Sequence, residues 1–234
     1  MPLTPELIAT YKDLSSTIRM FPVGTKLTFL RHGQTDNNLN RIAQGRRMSD
    51  TTLNRTGIDQ AHDAGKRLDL HTFDLTFTSP AVRAKQTFEI ARNYFSQTQT
   101  NFELDELHEI DWGHVIDGKL MADSGYDEHL TNMFSDDYSA TVGDSETINE
   151  VLSRGVFALA TIVKIMNEQI EQGKLNLLKT PPSILIVGHG FFFGLLLTAI
   201  VDLRIGLDRK PNTGGISELV LTAPHIHNEL TKLH

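Results

Sequence analysis

Cysteine is absent from the 234 residues. That excludes disulfides, thiolate metal sites and a cysteine nucleophile. Tryptophan occurs once, as Trp112. Positive charge is scarce: 22 Lys and Arg face 29 Asp and Glu, a formal net charge of -7. Without a basic stripe the chain is a poor nucleic-acid binder, because affinity for the phosphate backbone needs clustered Lys and Arg. A secretory leader is not legible in MPLTPELIATYKDLSS, which has neither a basic n-region nor an apolar h-region, so the expected location is the cytoplasm. The longest stretch without formal charge, Ile184 to Val201, is interrupted by Gly188-His189-Gly190 and so predicts a buried strand, turn and helix, with no membrane span.

Two runs share one design, Leu27–Leu30 followed by Arg31-His32-Gly33 and Ile184–Val187 followed by Gly188-His189-Gly190. Short, nearly unbroken apolar runs read as parallel strands covered on both faces. Ligands of open parallel sheets bind beyond the carboxyl ends of the strands, so neighbouring placement would make His32 and His189 face each other across a crevice.

Around these runs helices alternate with strands, which predicts an α/β fold: a three-layer αβα sandwich with a mostly parallel central sheet. Residues 3–20 form an amphipathic helix carrying Ile8, Tyr11, Leu14 and Ile18, and 1–22 is an N-terminal helical extension of a single 1–234 domain. Residues 33–52 form a polar loop. Helices follow over 53–70 and from Ser79-Pro80 to Phe95, with Ser79 as N-cap and Pro80 at the first position. Strands are expected at 73–78, 102–104 and 215–222, and 114–146 is an irregular, lid-like excursion. Thr147 and Glu150 form a capping box for the longest helix, which runs to about Gln172 before Gly173.

The rim of this sheet would carry Arg31, His32, Arg83, Glu109 and His189. Guanidinium groups grip a phosphate dianion in a fork and keep their charge. A neutral imidazole is a nucleophile toward phosphorus, a second imidazole, if protonated, could stabilise the equatorial oxygens, and a carboxyl kept protonated could serve the leaving oxygen. A competing reading is a metal held by His32, His189 and carboxylates. Arg31 argues against it by repelling a cation, as does the lack of a ligand-spaced histidine pair on either strand. His225-x-His227 has ligand spacing but is expected in an exposed tail without function.

Arg31-His32-Gly33-Gln34-Thr35-x-x-Asn38 resembles the R-H-G-x-T-x-x-N signature of the histidine phosphatase superfamily, the phosphoglycerate mutase-like family. Gln44-Gly45, Leu53-x-x-x-Gly57-x-x-Gln60-Ala61, Ser79-Pro80-x-x-Arg83-Ala84-x-Gln86-Thr87, Leu107-x-Glu109, Gly143-Asp144-Ser145 and Val187-Gly188-His189-Gly190 resemble its further blocks, in order. The resemblance implies a metal-independent phosphomonoester hydrolase without cofactor. His32 would accept the phosphoryl group, Arg31, Arg83 and His189 would bind it, and Glu109 would be the general acid. Asn38, Gln44, Gly45 and Gly190 would be substrate-binding, and the substrate would be a small phosphorylated metabolite. Gly194 stands where many members carry Arg. The paired arginines with which the mutases grip a carboxylate have no counterpart after Trp112. A hydrolase is therefore expected before a mutase-type phosphotransferase or a non-catalytic phospho-ligand-binding module. The acidic residues Asp117, Asp123, Asp127, Glu128, Asp136 and Asp137 would repel a polyanion if the excursion covers the site.

Overall fold

A computed structural model describes residues 5–97, 101–134, 138–176, 180–202, 206–222 and 229–233. The strands are β1 (Lys26–Arg31), β2 (Thr72–Phe73), β3 (Leu75–Thr78), β4 (Ser96–Gln97), β5 (Phe102–Glu103), β6 (Ser183–Gly188), β7 (Ile216–Val220) and β8 (Glu229–Leu233). The helices are α1 (Pro5–Ile18), α2 (Asp36–Leu39), α3 (Arg55–Arg67), α4 (Val82–Ala91), α5 (Gly113–Ile116), α6 (Tyr126–Met133), α7 (Ile148–Glu171) and α8 (Gly190–Asp202).

The central sheet runs β5-β3-β6-β1-β7-β8. β5, β3, β6 and β1 are mutually parallel, and β7 is antiparallel to both its neighbours. The two His-Gly strands are neighbours, with Arg31 opposite Gly188 in register. Side chains alternate across the pleat. Leu27, Phe29, Ile184 and Ile186 enter the larger core, beneath α1, α7 and α8, while Leu30, Leu185 and Val187 enter the smaller one, with Ala64, Leu68, Ala84 and Phe88 of α3 and α4. Both faces are thus covered, which is why these strands read as continuous apolar runs. Helix α8 is apolar all round because it is buried on every side.

Several expectations shift in detail. The helix after β3 starts at Val82 with Ala81 as its cap residue, not at Ser79-Pro80. Ser79 still follows the sheet, its N–H donating to Val187 O at 2.9 Å, so its hydroxyl is not at the helix end. α4 stops at Ala91, although Phe95 stays buried against Phe73. Ile8 is 41% exposed and lies off the buried face that carries Leu14. The capping box at Thr147 forms as expected, both of its bonds being present. The excursion over 114–146 contains α6 and is tied to the 41–45 segment through Met121 N–H to Arg41 O at 2.9 Å and Gly118 N–H to Ala43 O at 2.9 Å. Strand β8 has no signal in the tail and adds a second antiparallel edge. His225, His227, His234, Asp136 and Asp137 lie outside the described residues.

Candidate active site

The carboxyl edge of the sheet gathers the predicted residues from four strands. β1 delivers Arg31 and His32, β6 delivers His189, and β3 leads through Ser79 to Arg83 in the first turn of α4. Glu109 arrives from beyond β5, on the other side of β3.

His32 and His189 are both buried, and their rings meet edge to face with centroids 5.2 Å apart. His32 Nδ1 lies 2.7 Å from Gly33 O. A carbonyl only accepts, so Nδ1 carries the proton and Nε2 keeps its lone pair. Burial, then Arg83 and Arg31, hold the His32 pKa well below its usual value, so the ring is neutral. His189 is likewise held neutral, by burial first and then by Arg83 and His32. Both imidazoles are thus held toward the neutral form. His189 Nε2 sits 2.8 Å from Ser79 Oγ, which also accepts the Ala81 N–H at 3.3 Å. With Ser79 donating to Nε2, the proton of the neutral ring is on Nδ1, which is buried without a partner.

The arginines are anchored by one branch each. Arg31 NH1 donates to Pro211 O at 2.9 Å, and Arg83 NH1 donates to Met48 O at 2.7 Å. Arg31 Nε and Arg83 NH2 are buried with no partner. Arg83 is fully buried, and desolvation brings its pKa down to about 10 against the pull of Glu109 and Asp117; it remains a cation at neutral pH. A Cβ on Gly190 would stand 2.6 Å from Arg31 Cζ, so only glycine lets this guanidinium lie on the start of α8.

Glu109 accepts three backbone N–H groups, from Ile110 (3.1 Å), Phe191 (2.9 Å) and Phe192 (2.9 Å). Both oxygens accept at the N-terminus of α8, Oε2 from Phe191 and Oε1 from Phe192. Arg31 and Arg83 both feel its charge. Its segment is pinned by Arg154 of α7, which donates to Glu106 O and His108 O (2.8 Å each) and grips Glu146 with Nε and NH2.

The remaining expected residues are largely spent on scaffold. Asn38 Oδ1 accepts the Thr35 N–H, closing a capping box; its Nδ2 has no partner among the described residues. Gln44, oriented to satisfy both ends, donates to Thr35 Oγ1 at 2.7 Å and accepts from Arg83 Nε at 3.2 Å. The Gly45 N–H donates to Asp117 Oδ1 at 2.5 Å. At the start of α8, Glu109 takes the second and third amides, not that of Gly190. Asp117 is partly buried, which pushes its pKa up to about 6 despite its bonds from Gly45 and Arg47. Asp144 stays well below the ordinary carboxylate range because it accepts from His114 and Arg47. Among the described residues no group of three or more His, Asp or Glu is placed to hold a metal ion, and no helix is long and apolar enough to cross a membrane.

Sequence reasoning passes over Arg154 and assigns Ser79 to a cap. Only the Ser79 block carried a signal, misread locally. Arg154 acts across the fold and has no nearby pattern.

A sequence model of the histidine phosphatase superfamily (branch 1) matches residues 27–231. The uncharacterized phosphatase PhoE of Bacillus subtilis is 31% identical over 176 residues, 75% of this chain and 77% of that protein. The fructose-2,6-bisphosphatase TIGAR B of Danio rerio is 31% identical over 87% of this chain and 88% of that one. The solved structure of Bacillus stearothermophilus YhfR superposes with a TM-score of 0.65 at 25% identity, covering 83% of this chain and 90% of that chain.

Proposed function

This chain belongs to the histidine phosphatase superfamily, and from that premise we propose that it is a phosphomonoester hydrolase working through a phosphohistidine on His32. The observation that carries the proposal is the tautomer of His32. Its Nδ1–H is committed to Gly33 O at 2.7 Å, so a neutral, lone-pair-bearing Nε2 stands beside two half-satisfied guanidinium groups. Its relatives include phosphatases and phosphoglycerate mutases alike.

The phosphoryl group of a small phosphorylated metabolite sits against Arg31, Arg83 and the Nδ1–H of His189, with Asn38 Nδ2 and the Gly190 N–H as further donors. Each guanidinium offers the donor it does not spend on scaffold. His32 Nε2 attacks phosphorus as the ester P–O bond breaks, and the growing charge falls on oxygens already facing fixed cations. Glu109 carries a proton to the leaving oxygen and the alcohol departs. Water then attacks the phosphohistidine, Glu109 takes its proton, the P–N bond breaks and inorganic phosphate leaves. No step needs a metal or organic cofactor. Residues 1–234 act as one domain in this reading, with α1 bracing α7 through Thr10 Oγ1 to Asn149 Oδ1 at 2.8 Å.

The test is hydrolysis of p-nitrophenyl phosphate with and without EDTA, beside His32→Ala. Turnover that survives EDTA and drops by roughly 10³-fold or more in the variant is expected, the loss typical when a covalent nucleophile is removed. Activity abolished by EDTA, or retained by His32→Ala, refutes the mechanism. Turnover of 3-phosphoglycerate only in the presence of 2,3-bisphosphoglycerate would make it a mutase.

A further inference from the structure

Arg154 lies in the second turn of α7, outside the phosphate pocket, and its hydrogen bonds converge on the segment that carries Glu109. On one side of Glu109, Arg154 NH1 donates to Glu106 O and His108 O, both at 2.8 Å. Arg154 Nε and NH2 form a fork on Glu146, at 2.9 and 2.8 Å. Glu146 takes up the other side: its Oε2 accepts the Asp111 N–H at 2.8 Å, and its own N–H donates to Asp111 O at 2.8 Å. The main chain is thus clamped before and after Glu109. The side chains of this ion pair are only 11% and 18% exposed, so it is a fixed brace and not a solvated surface pair.

The same guanidinium reaches the other half of the carboxylate's cradle. It lies over the Phe192 ring, its Cζ 4.9 Å from the centroid. The Phe192 N–H donates to Glu109 Oε1 and the Phe191 N–H to Oε2, each at 2.9 Å. Helices α7 and α8 close up beside it at Gly155, where a Cβ would come within 3.0 Å of Leu196 Cδ1. The Glu109 carboxyl is therefore located by two pieces of main chain, residues 106–111 and the start of α8, and Arg154 touches both. A proton donor works only within hydrogen-bond reach of its acceptor, and a displacement of about 1 Å costs on the order of 10²-fold in rate. A planar fork that holds a carboxylate and two carbonyls at once suits this task, and a lysine ammonium does not.

We propose that Arg154 is the positioning residue for proton transfer. It sets the Glu109 carboxyl against the leaving oxygen, so that the proton passes to that oxygen as the P–O bond breaks and an alcohol departs. This rests on the reading of Glu109 as general acid in a His32 phosphatase.

The experiment measures kcat/KM on phenyl, 4-nitrophenyl and 2,4-dinitrophenyl phosphate. Phenolate needs a proton in order to depart, and dinitrophenolate does not. Wild type is compared with Glu109→Gln, Arg154→Met and Arg154→Lys. Glu109→Gln sets the scale, with an expected loss of about 10²-fold or more on phenyl phosphate and less than about tenfold on the dinitrophenyl ester. Arg154→Met is expected to lose about tenfold or more on phenyl phosphate and less than about threefold on the dinitrophenyl ester. Arg154→Lys should show the same selectivity in smaller degree, and it decides alone if Arg154→Met does not fold. Losses equal across the three esters are what a purely structural brace gives, and they overturn the proposal, as does no loss at all. Equal losses in Glu109→Gln itself would remove the general acid and the proposal with it. Selective losses in Glu109→Gln beside equal losses in the Arg154 variants would overturn the proposal alone. A wild type inactive on all three esters ends the hydrolase reading and the proposal together.

Discussion

Ser79 Oγ accepts the Ala81 N–H and lies 2.8 Å from His189 Nε2, so in the proposed mechanism this hydroxyl, donating to Nε2, leaves the Nδ1–H to face the phosphoryl group. Removing it leaves His189 charge-neutral but free to exchange tautomers. Ser79→Ala is expected to lower kcat about tenfold with little change in KM, the worth of one buried hydrogen bond at about 1.4 kcal/mol. Steady-state kinetics check this, and Ser79→Thr, which keeps the hydroxyl, should restore most of the rate. A purely structural role would instead lower the melting temperature and leave kcat intact. Thr87 acts by a similar economy. It accepts the Gly33 N–H at 3.0 Å and donates to Arg83 O at 2.7 Å, tying the turn after His32 to the arginine that shares its pocket.

At the scale of elements, the segment 44–48 is the hinge between pocket and excursion. It offers Gln44 and Met48 O to Arg83 and is held from outside by Asp117, whose oxygens accept from Gly45 and Arg47. Burial raises the Asp117 pKa from 3.8 to about 6. A carboxyl whose pKa is higher folded than unfolded favours the fold below its unfolded pKa, and that contribution is lost as pH rises through the folded value. The ionised form is therefore a cost above pH about 6. Asp117→Asn keeps an acceptor for Gly45 and removes the charge. Its stability relative to wild type is expected to grow between pH 4 and 6 and level off above 7, at about 1 kcal/mol once solvent screening is allowed for. Denaturant midpoints across that range measure it, and a variant less stable than wild type at pH 7.5 would show that the ionised form is what clamps the loop. The same segment bears on the acidic excursion. Of the acidic residues there, Asp117 accepts the Gly45 and Arg47 amides, and its charge acts on Arg83.

For the whole molecule, the two histidines couple the pocket to global stability. Both are kept neutral by burial and the arginines, with pKa values below the unfolded one. The unfolded chain then binds more protons than the native one as pH falls below the usual histidine value near 6.5, so stability present at neutral pH is lost on acidification. Replacing both histidines by Asn should flatten the fall in unfolding free energy between pH 7.5 and 5.5, measured by urea titration. An unchanged slope would mean that the pocket histidines are not responsible. The arrangement sets two cationic guanidinium groups and two desolvated imidazoles at one sheet edge, against the packing of two cores. Such concentration of unfavourable electrostatics is what a site prepared for a dianion requires.

The residues alone determined the fold class and pointed to the side chains that gather at the carboxyl edge of the sheet. Continuous apolar strands ending in His-Gly announce parallel pairing with both faces covered, and the chemistry of Arg, His and Glu follows from their functional groups. The capping box at Thr147 was equally legible, because a cap depends on residues three apart. What needed the tertiary structure acts over long separations or through desolvation. The register of Arg31 with Gly188 brings the two histidines together, and the 46 positions that separate His108 from Arg154 never state that Glu146 and Arg154 hold the segment bearing Glu109. The position of Ser79 was decided by sheet pairing with Val187, which overrode its local preference as a cap. Strand β8 rests wholly on its partner β7. Tautomers and the neutrality of both imidazoles depend on burial and on neighbours distant in the chain, and those exist only once the sheet has closed around them.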